Sequence, residues 1–319
     1  MGIEVIFLLL TATFKNLMRK FIFFSVLALL LNLSSSAQYN FDIGGGVGAA
    51  NFLGDIGGTS ADGAQPFIND IQLTMTRVGI NGFARYQFMP WLGVNAGFAS
   101  CWIEGSDNLS KNPARYTRNL SFRNHINEIY ARGEFYFLNT NDVGRTGRYR
   151  LDFKSYIYLG AAVFSHNPKT EYNGEWIALQ PLQTENKKYS RINGAIPGGF
   201  GIYFTLMRNH RFGFETGFRY TFTDYLDDVS GTYPADPAWY TTTDPLAVEL
   251  SNRSDEVDPD DPLFLQAALP SPGGVRGGAA ALDVYMMTLA TYSFVFRGKS
   301  NFSKPIYKWL VKRKSRAKF

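Results

Sequence analysis

The stretch RFGFETGFRYTF, Arg211 to Phe222, constrains the fold more than any other part of the chain. Phe212, Phe214, Thr216, Phe218, Tyr220 and Phe222 fall on one side of an extended segment. Arg211, Gly213, Glu215, Gly217, Arg219 and Thr221 fall on the other, because strand side chains alternate with period two. A soluble sheet would bury the phenyl side under a second layer. Segments of the same character, rich in aromatics and bounded by turn residues, recur along the chain: Tyr39–Ala49, Arg77–Phe88, Leu92–Ile103, Ile126–Phe137, Tyr156–Ser165, Ile196–Leu206, Arg211–Phe222 and Leu282–Phe296. No helical stretch is available to cover eight such faces. The pattern therefore predicts an all-β fold, an eight-stranded antiparallel transmembrane β-barrel, apolar outside and polar inside. The 27 Phe and 18 Tyr of the 319 residues exceed what a core needs and suit an apolar outer wall.

The connectors alternate in length. Met89–Trp91 and Met207–His210 are short, whereas Ala50–Thr76, Glu104–His125, His166–Ala195 and Thr223–Ala281 are long. Outer-membrane barrels have short periplasmic turns and long external loops. The link Leu138–Ser155 is the exception, since its place in the order calls for a short turn.

The start of the chain reads as a targeting segment. Arg19 and Lys20 precede an apolar run from Phe21 to Leu31, followed by Ser35, Ser36 and Ala37. This is the pattern of a signal peptide over residues 1–37, cleaved after Ala37, with Met18 as the natural start. The run is short for a membrane anchor, and no stretch after Gln38 is long and apolar enough for a membrane helix. The barrel is then assigned to residues 38–296 and a basic periplasmic tail to 297–319. The location that follows is the outer membrane. Export makes a nucleic-acid partner implausible. The lone Cys101 cannot form an internal disulfide.

The stretch DIGGGVGAAN, Asp42 to Asn51, contains G-x-G-x-x-A at Gly44, Gly46 and Ala49. A dinucleotide site needs a helix after those glycines. The Gly-rich segment that follows lacks a helical period, so no cofactor is assigned. Gly44, Gly46 and Gly48 fall on the inward face, where they leave room in a narrow barrel.

The inward faces also carry Asp42, Arg77, Arg85, Glu128, Arg132, Glu134, Arg211, Glu215, Arg219 and Asp283. Equal numbers of each sign predict mutual pairing, because unpaired charges in a low-dielectric interior are costly. Eight strands enclose just enough space for side chains to fill, so the lumen is expected to be plugged. A proton or ion path is the functional alternative.

Charge is unevenly placed. Thr223–Ala281 holds eleven acids and two bases, for a net −9, whereas residues 297–319 hold nine bases and no acid. The tail suits an acidic periplasmic partner, anionic headgroups, or solvent. The acidic run Ser254–Pro262 lacks EF-hand spacing, and a solvated loop is preferred to a calcium site. A rim enzyme would need His125 or His166 to meet Asp224, Asp227 or Asp228 near Ser165, which sequence spacing alone does not establish. Three scattered histidines and one cysteine give no zinc motif.

Four segments, ANFLGDIGG (Ala50–Gly58), RNLSFRNHINEIYARGEFYFL (Arg118–Leu138), YTFTDYLDDVSGTY (Tyr220–Tyr233) and RGGAAALDVYMMTLATYSFVF (Arg276–Phe296), resemble the PorG-like outer-membrane barrels of the type IX secretion system of Bacteroidota. That resemblance implies a non-enzymatic role. It implies contact with the system's periplasmic ring, formed by a lipoprotein and its soluble partner, in a machine that exports proteins and in some bacteria supports gliding. The basic tail departs from the family pattern. The expected contact surface is Arg145, Arg148, Arg150 and Lys154 of the fourth link, with Lys308, Lys312 and Arg313 of the tail.

Overall fold

In a computed structural model the structure describes residues 40–58, 73–141, 143, 151–278 and 282–297. The signal segment, Arg145, Arg148, Arg150, Lys308, Lys312 and Arg313 lie outside the described residues.

Eight long strands form a closed wall. They are β1 (Asn40–Leu53), β2 (Arg77–Gln87), β3 (Leu92–Ser106), β4 (Ser121–Thr140), β5 (Leu151–Ser165), β8 (Ile192–Leu206), β9 (His210–Thr221) and β10 (Val284–Arg297). Between β5 and β8 a small hairpin, β6 (Lys169–Tyr172) and β7 (Glu175–Ala178), stands on the edge of β4. Each wall strand pairs antiparallel with its neighbour in the chain's wall order. The β1–β10 and β3–β4 pairings leave no open edge. Closure matters because a lipid-facing strand edge would leave backbone groups unsatisfied.

The two sides of the wall differ as the alternation requires. Ile43, Val47, Val94, Phe98, Phe200, Phe212 and Phe214 are exposed, with Ile129 at 71% and Leu159 at 66%. Asp42, Glu134, Arg85 and Arg219 on the other side are exposed by 2% or less. On β5 the outward residues are apolar from Phe153 to Val163, apart from Ser155. Ten residue steps there span roughly 33 Å of strand, or roughly 25 Å along the axis at the usual tilt, which is the height of a bilayer-spanning apolar band. The fold is a transmembrane β-barrel.

Several strands run further than their apolar pattern. β3, β4, β5 and β8 extend toward the long-loop end or the turn end by inward polar residues such as Asn124, Asp152 and Lys154. The extension of β5 back to Leu151 shortens the fourth link to residues 141–150. The exception in the connector pattern is thereby reduced, although this link remains the longest of the three at that end. The extension also corrects Lys154, which is not part of a link. Its side chain is 8% exposed, lies inside the wall, and donates to Gln87 Oε1 at 2.6 Å.

The inward glycines of β1 have a packing role. A Cβ at Gly44 would fall on the carbonyl oxygen of Tyr292, and one at Gly48 on that of Thr288. Both contacts are with β10, the strand that closes the barrel on β1.

Candidate functional site: the lumen network and the cap above it

Inside the wall the charges are connected. Asp42 of β1 accepts from Arg211 of β9 and stands 3.6 Å from Arg85 of β2. Arg85 reaches Glu134 of β4 at 2.8 Å. Arg132 lies 3.4 Å from Glu134 and holds Glu215 of β9 with both terminal nitrogens, at 2.6 and 2.5 Å. This two-point geometry is the strong form of an arginine–carboxylate pair. Arg219 and Glu128 form a second group at 3.6 Å, and Tyr285 donates to Glu128.

Phenols and amides complete the layer. Tyr136 donates to Glu134 at 2.5 Å, Tyr156 to Glu215 at 2.9 Å and Asn95 to Glu134 at 2.8 Å. The guanidinium of Arg132 lies 4.0 Å from the centre of the Tyr158 ring. These side chains follow the same inward parity as the charges. A reading restricted to charged residues passes over them. Near-zero exposure of Asp42, Arg132 and Glu134 means that no water-sized bore passes this level.

Two residues of the sequence set stand apart. Arg77 is the first residue of β2, at the long-loop mouth, and pairs with Glu104 of β3 rather than with any lumen acid. Asp283 lies just before β10 and accepts from the backbone of Leu226 at 2.8 Å. It has no ion-pair partner among the described residues. Both depart from the lumen assignment because parity places a side chain on a face but does not say how far up the barrel it sits.

Above the lumen the long loops fold into a cap. Arg118 is its first clasp. It donates to Asp107 at 2.7 and 3.0 Å, to the Asp55 carbonyl at 2.8 Å, and to the Arg276 carbonyl. Arg276 is the second, reaching Glu185 at 3.1 Å and the Asp228 carbonyl at 2.6 Å. Asp227 accepts from the Ile56 amide at 2.9 Å, and Asn124 donates to the Leu226 carbonyl at 2.6 Å. The segments beginning at Ala50, Arg118, Tyr220 and Arg276, distant in sequence, thus meet in one place. The acidic loop is folded where it is described, with short helices at Trp239–Thr242 and Pro245–Ser251.

Burial raises several cap carboxyls. Asp224 is pushed to about 7, with Asp55 and Glu185 adding to the effect. Asp228 is pushed to about 6 by burial, against the pull of Arg276. Asp227 and Asp283 are raised by burial and then by neighbouring aspartates.

The histidines do not form an acid–base set. His166 Nε2 bonds the Ser190 carbonyl at 3.0 Å, while Asp228 is held by Thr184 and by Tyr189 at 2.6 Å. Tyr189 lies between them, stacked on His166 at 6.2 Å. His125 bonds Ser100 at 2.9 Å and lies on the outer surface of β4. No group of three metal-ligating side chains occurs among the described residues.

The arrangement defines a sealed, ion-paired transmembrane barrel with a folded cap. The chain belongs to a family described as "Domain of unknown function (DUF6089)", whose profile matches residues 20–243. No curated protein matches it. Among solved structures it is similar to the outer membrane protein OprG from Pseudomonas aeruginosa, at 12% identity and a TM-score of 0.37, over 81% of this chain and 96% of that one. It is also similar to Ail, the attachment invasion locus protein of Yersinia pestis, in complex with the heparin analogue sucrose octasulfate. That match has 13% identity and a TM-score of 0.32, over 81% of this chain and 97% of that one. At these scores the likenesses add nothing to the barrel that the strand pairings define.

Proposed function

We propose that the protein is an outer-membrane barrel that anchors part of the type IX secretion system, contacting the periplasmic ring lipoprotein and its soluble partner from the short-turn end. The observation that carries the anchor reading is an apolar outer belt around an interior filled by paired charges. Such a barrel holds a fixed place in a membrane and passes no solute. The choice of secretion system rests on the resemblance of the four cap-forming segments. The contact surface is Arg145, Arg148 and Arg150, with Lys308, Lys312 and Arg313. Lys154 is excluded because it faces the lumen.

Crosslinking the tagged protein in native outer membranes, followed by mass spectrometry of what it recovers, tests this reading. Recovery of the ring lipoprotein is expected. Its recovery should drop when Arg145, Arg148 and Arg150 are changed to Glu in a barrel that still folds. Unchanged recovery counts against the surface, and no recovery from the unaltered protein counts against the anchor.

A second reading, a general small barrel serving adhesion or envelope integrity, is favoured by the cap. Two buried arginines hold a shaped surface at the long-loop end, which a purely periplasmic anchor does not need. A surface-binding defect in a cap variant, with ring recovery intact, would favour it.

A further inference from the structure

β5 and β8 end at the Ser165–Ile192 pair, with the His166 amide still donating to the Arg191 carbonyl at 2.9 Å, and there the outer face of the wall carries a cavity of about 830 Å³. Asn127, Ser165 and Ile192 lie in one row across the sheet and line it. The next row toward the short-turn end holds Ile129 and Val163, the top of the exposed apolar belt. The cavity therefore opens where a membrane's hydrocarbon gives way to its headgroups.

Its chemistry is one-sided. Arg123, Lys169 and Arg191 line it, and no carboxylate does. Arg123 of β4 and Lys169 of β6 are directly opposite each other in an antiparallel pair, a placement that costs stability without an anion nearby. Glu104 pairs with Arg123 but already shares its charge with Arg77. Lys169 and Arg191 have no ion-pair partner among the described residues.

The remaining lining suits a sugar. Trp102 carries His125 stacked at 4.3 Å, and the Arg123 guanidinium lies 4.1 Å over Trp176, so both indoles are fixed. Trp and Tyr belong at this depth, where one side of the ring is apolar and the other wet. His166 Nδ1 and Asn167 Oδ1 are buried and have no hydrogen-bond partner. His166 is 2% exposed, and burial lowers it to about 4, which keeps the ring neutral. His166 Nε2 meets both the Ser190 carbonyl at 3.0 Å and the Asn193 amide nitrogen at 2.9 Å, so Nδ1 is the ring nitrogen left for a ligand, as donor or acceptor according to the tautomer. Two unpartnered polar atoms beside three cations suit a ligand with hydroxyls, which donate and accept, as well as negative charge.

We propose that this cavity holds the headgroup of a phosphorylated glycolipid of the outer leaflet. Lys169 and Arg191 take the phosphate, Trp102 and Trp176 flank the sugar, and its hydroxyls bond His166 Nδ1 and Asn167 Oδ1. The proposal rests on the outer-membrane reading above.

The test uses the full chain inserted into phosphatidylcholine vesicles that contain phosphorylated lipid A or its dephosphorylated form. Bound glycolipid is counted after detergent extraction, and folding is checked by the heat-dependent mobility of the barrel in gels. The phosphorylated form should co-purify with the unaltered protein. The dephosphorylated form, and the phosphorylated form with a Lys169→Gln/Arg191→Gln variant, should bind at least roughly tenfold more weakly, as expected for losing charge-assisted bonds. Trp176→Ala, on the exposed hairpin, should weaken both lipids. Equal retention of the two lipids, or by the variant and the unaltered protein, overturns the proposal. So does inorganic phosphate competing as well as the lipid, which would show a soluble-anion site. Failure to insert into vesicles at all overturns the membrane reading itself, a result separable from insertion without lipid preference.

Discussion

The lumen and the cap both bury charge, by different means. In the lumen Arg85, Arg132, Arg211 and Arg219 face Asp42, Glu128, Glu134 and Glu215, equal in number and largely in contact. In the cap Asp55, Asp107, Glu185, Asp224, Asp227, Asp228 and Asp283 surround two buried arginines, Arg118 and Arg276. The lumen balances its charge with countercharge. The cap does so partly with backbone amides, as at Asp227 and Asp283, and partly by holding protons on its carboxyls. The second arrangement responds to pH near neutrality. A barrel wall that must stay closed in a membrane uses the first, and a surface that meets the outside uses the second.

The largest break should come from the lumen. Arg132→Ala leaves Glu215 in a dry interior with the Tyr156 hydroxyl but no cation in contact, and losing one partner of a buried pair costs about 3–5 kcal/mol. Urea unfolding in detergent should show it. Replacing both Arg132 and Glu215 with leucine should cost less than the single change, because no charge is left alone. If the single and double variants are equally destabilised, the network is not held by charge.

A charge on the other face of the same wall should do the opposite of what it does inside. Leu159 is outward and near the middle of the β5 belt. Leu159→Lys should lower stability in lipid by about 2–4 kcal/mol, the cost of a cation at the bilayer midplane. The same change in a lipid-free denaturant series that starts from water-soluble aggregates should show no such loss. Equal stability in lipid would mean that this face does not meet hydrocarbon.

The smallest effect concerns the cap and pH. Asp224 and Asp228 have folded values of about 7 and about 6, above the ordinary carboxyl value. The folded cap therefore holds more protons than the unfolded chain in that window. Its stability is full below about pH 4 and falls as pH rises toward about 7. Hydrogen exchange of the Tyr220–Tyr233 segment should be faster at pH 8 than at pH 5 after correction for intrinsic rates. Asp224→Asn should remove part of that difference.

Sequence alone carries the wall well, because a membrane barrel writes its two faces as period two. Arg211–Phe222 shows both faces within one strand. The strand ends are less legible. Asp152 and Lys154 continue the inward face of β5, but they are polar residues next to a link rich in arginine, and they look like part of it. The β6–β7 hairpin, Lys169–Ala178, has four residues to a strand, too few for an alternating pattern to stand out. The cap clasps are least legible, since Arg118 and Arg276 lie between wall strands and gain their meaning from distant carbonyls, 63 and 158 residues away for Arg118 and 48 for Arg276. The segments quoted for the family resemblance nonetheless begin at both of them, which suggests that the cap is as much a part of this fold's design as the wall.

The central claim is a sealed barrel that spans a membrane, and the most direct measurement is ion conductance across a planar bilayer containing the folded, full-length protein. Silence is predicted for the unaltered protein, with steps appearing only when the lumen is emptied by a variant such as Arg132→Ala combined with Tyr156→Ala. Steady single-channel steps from the unaltered protein would contradict the claim and would make the charged lumen a conduction path.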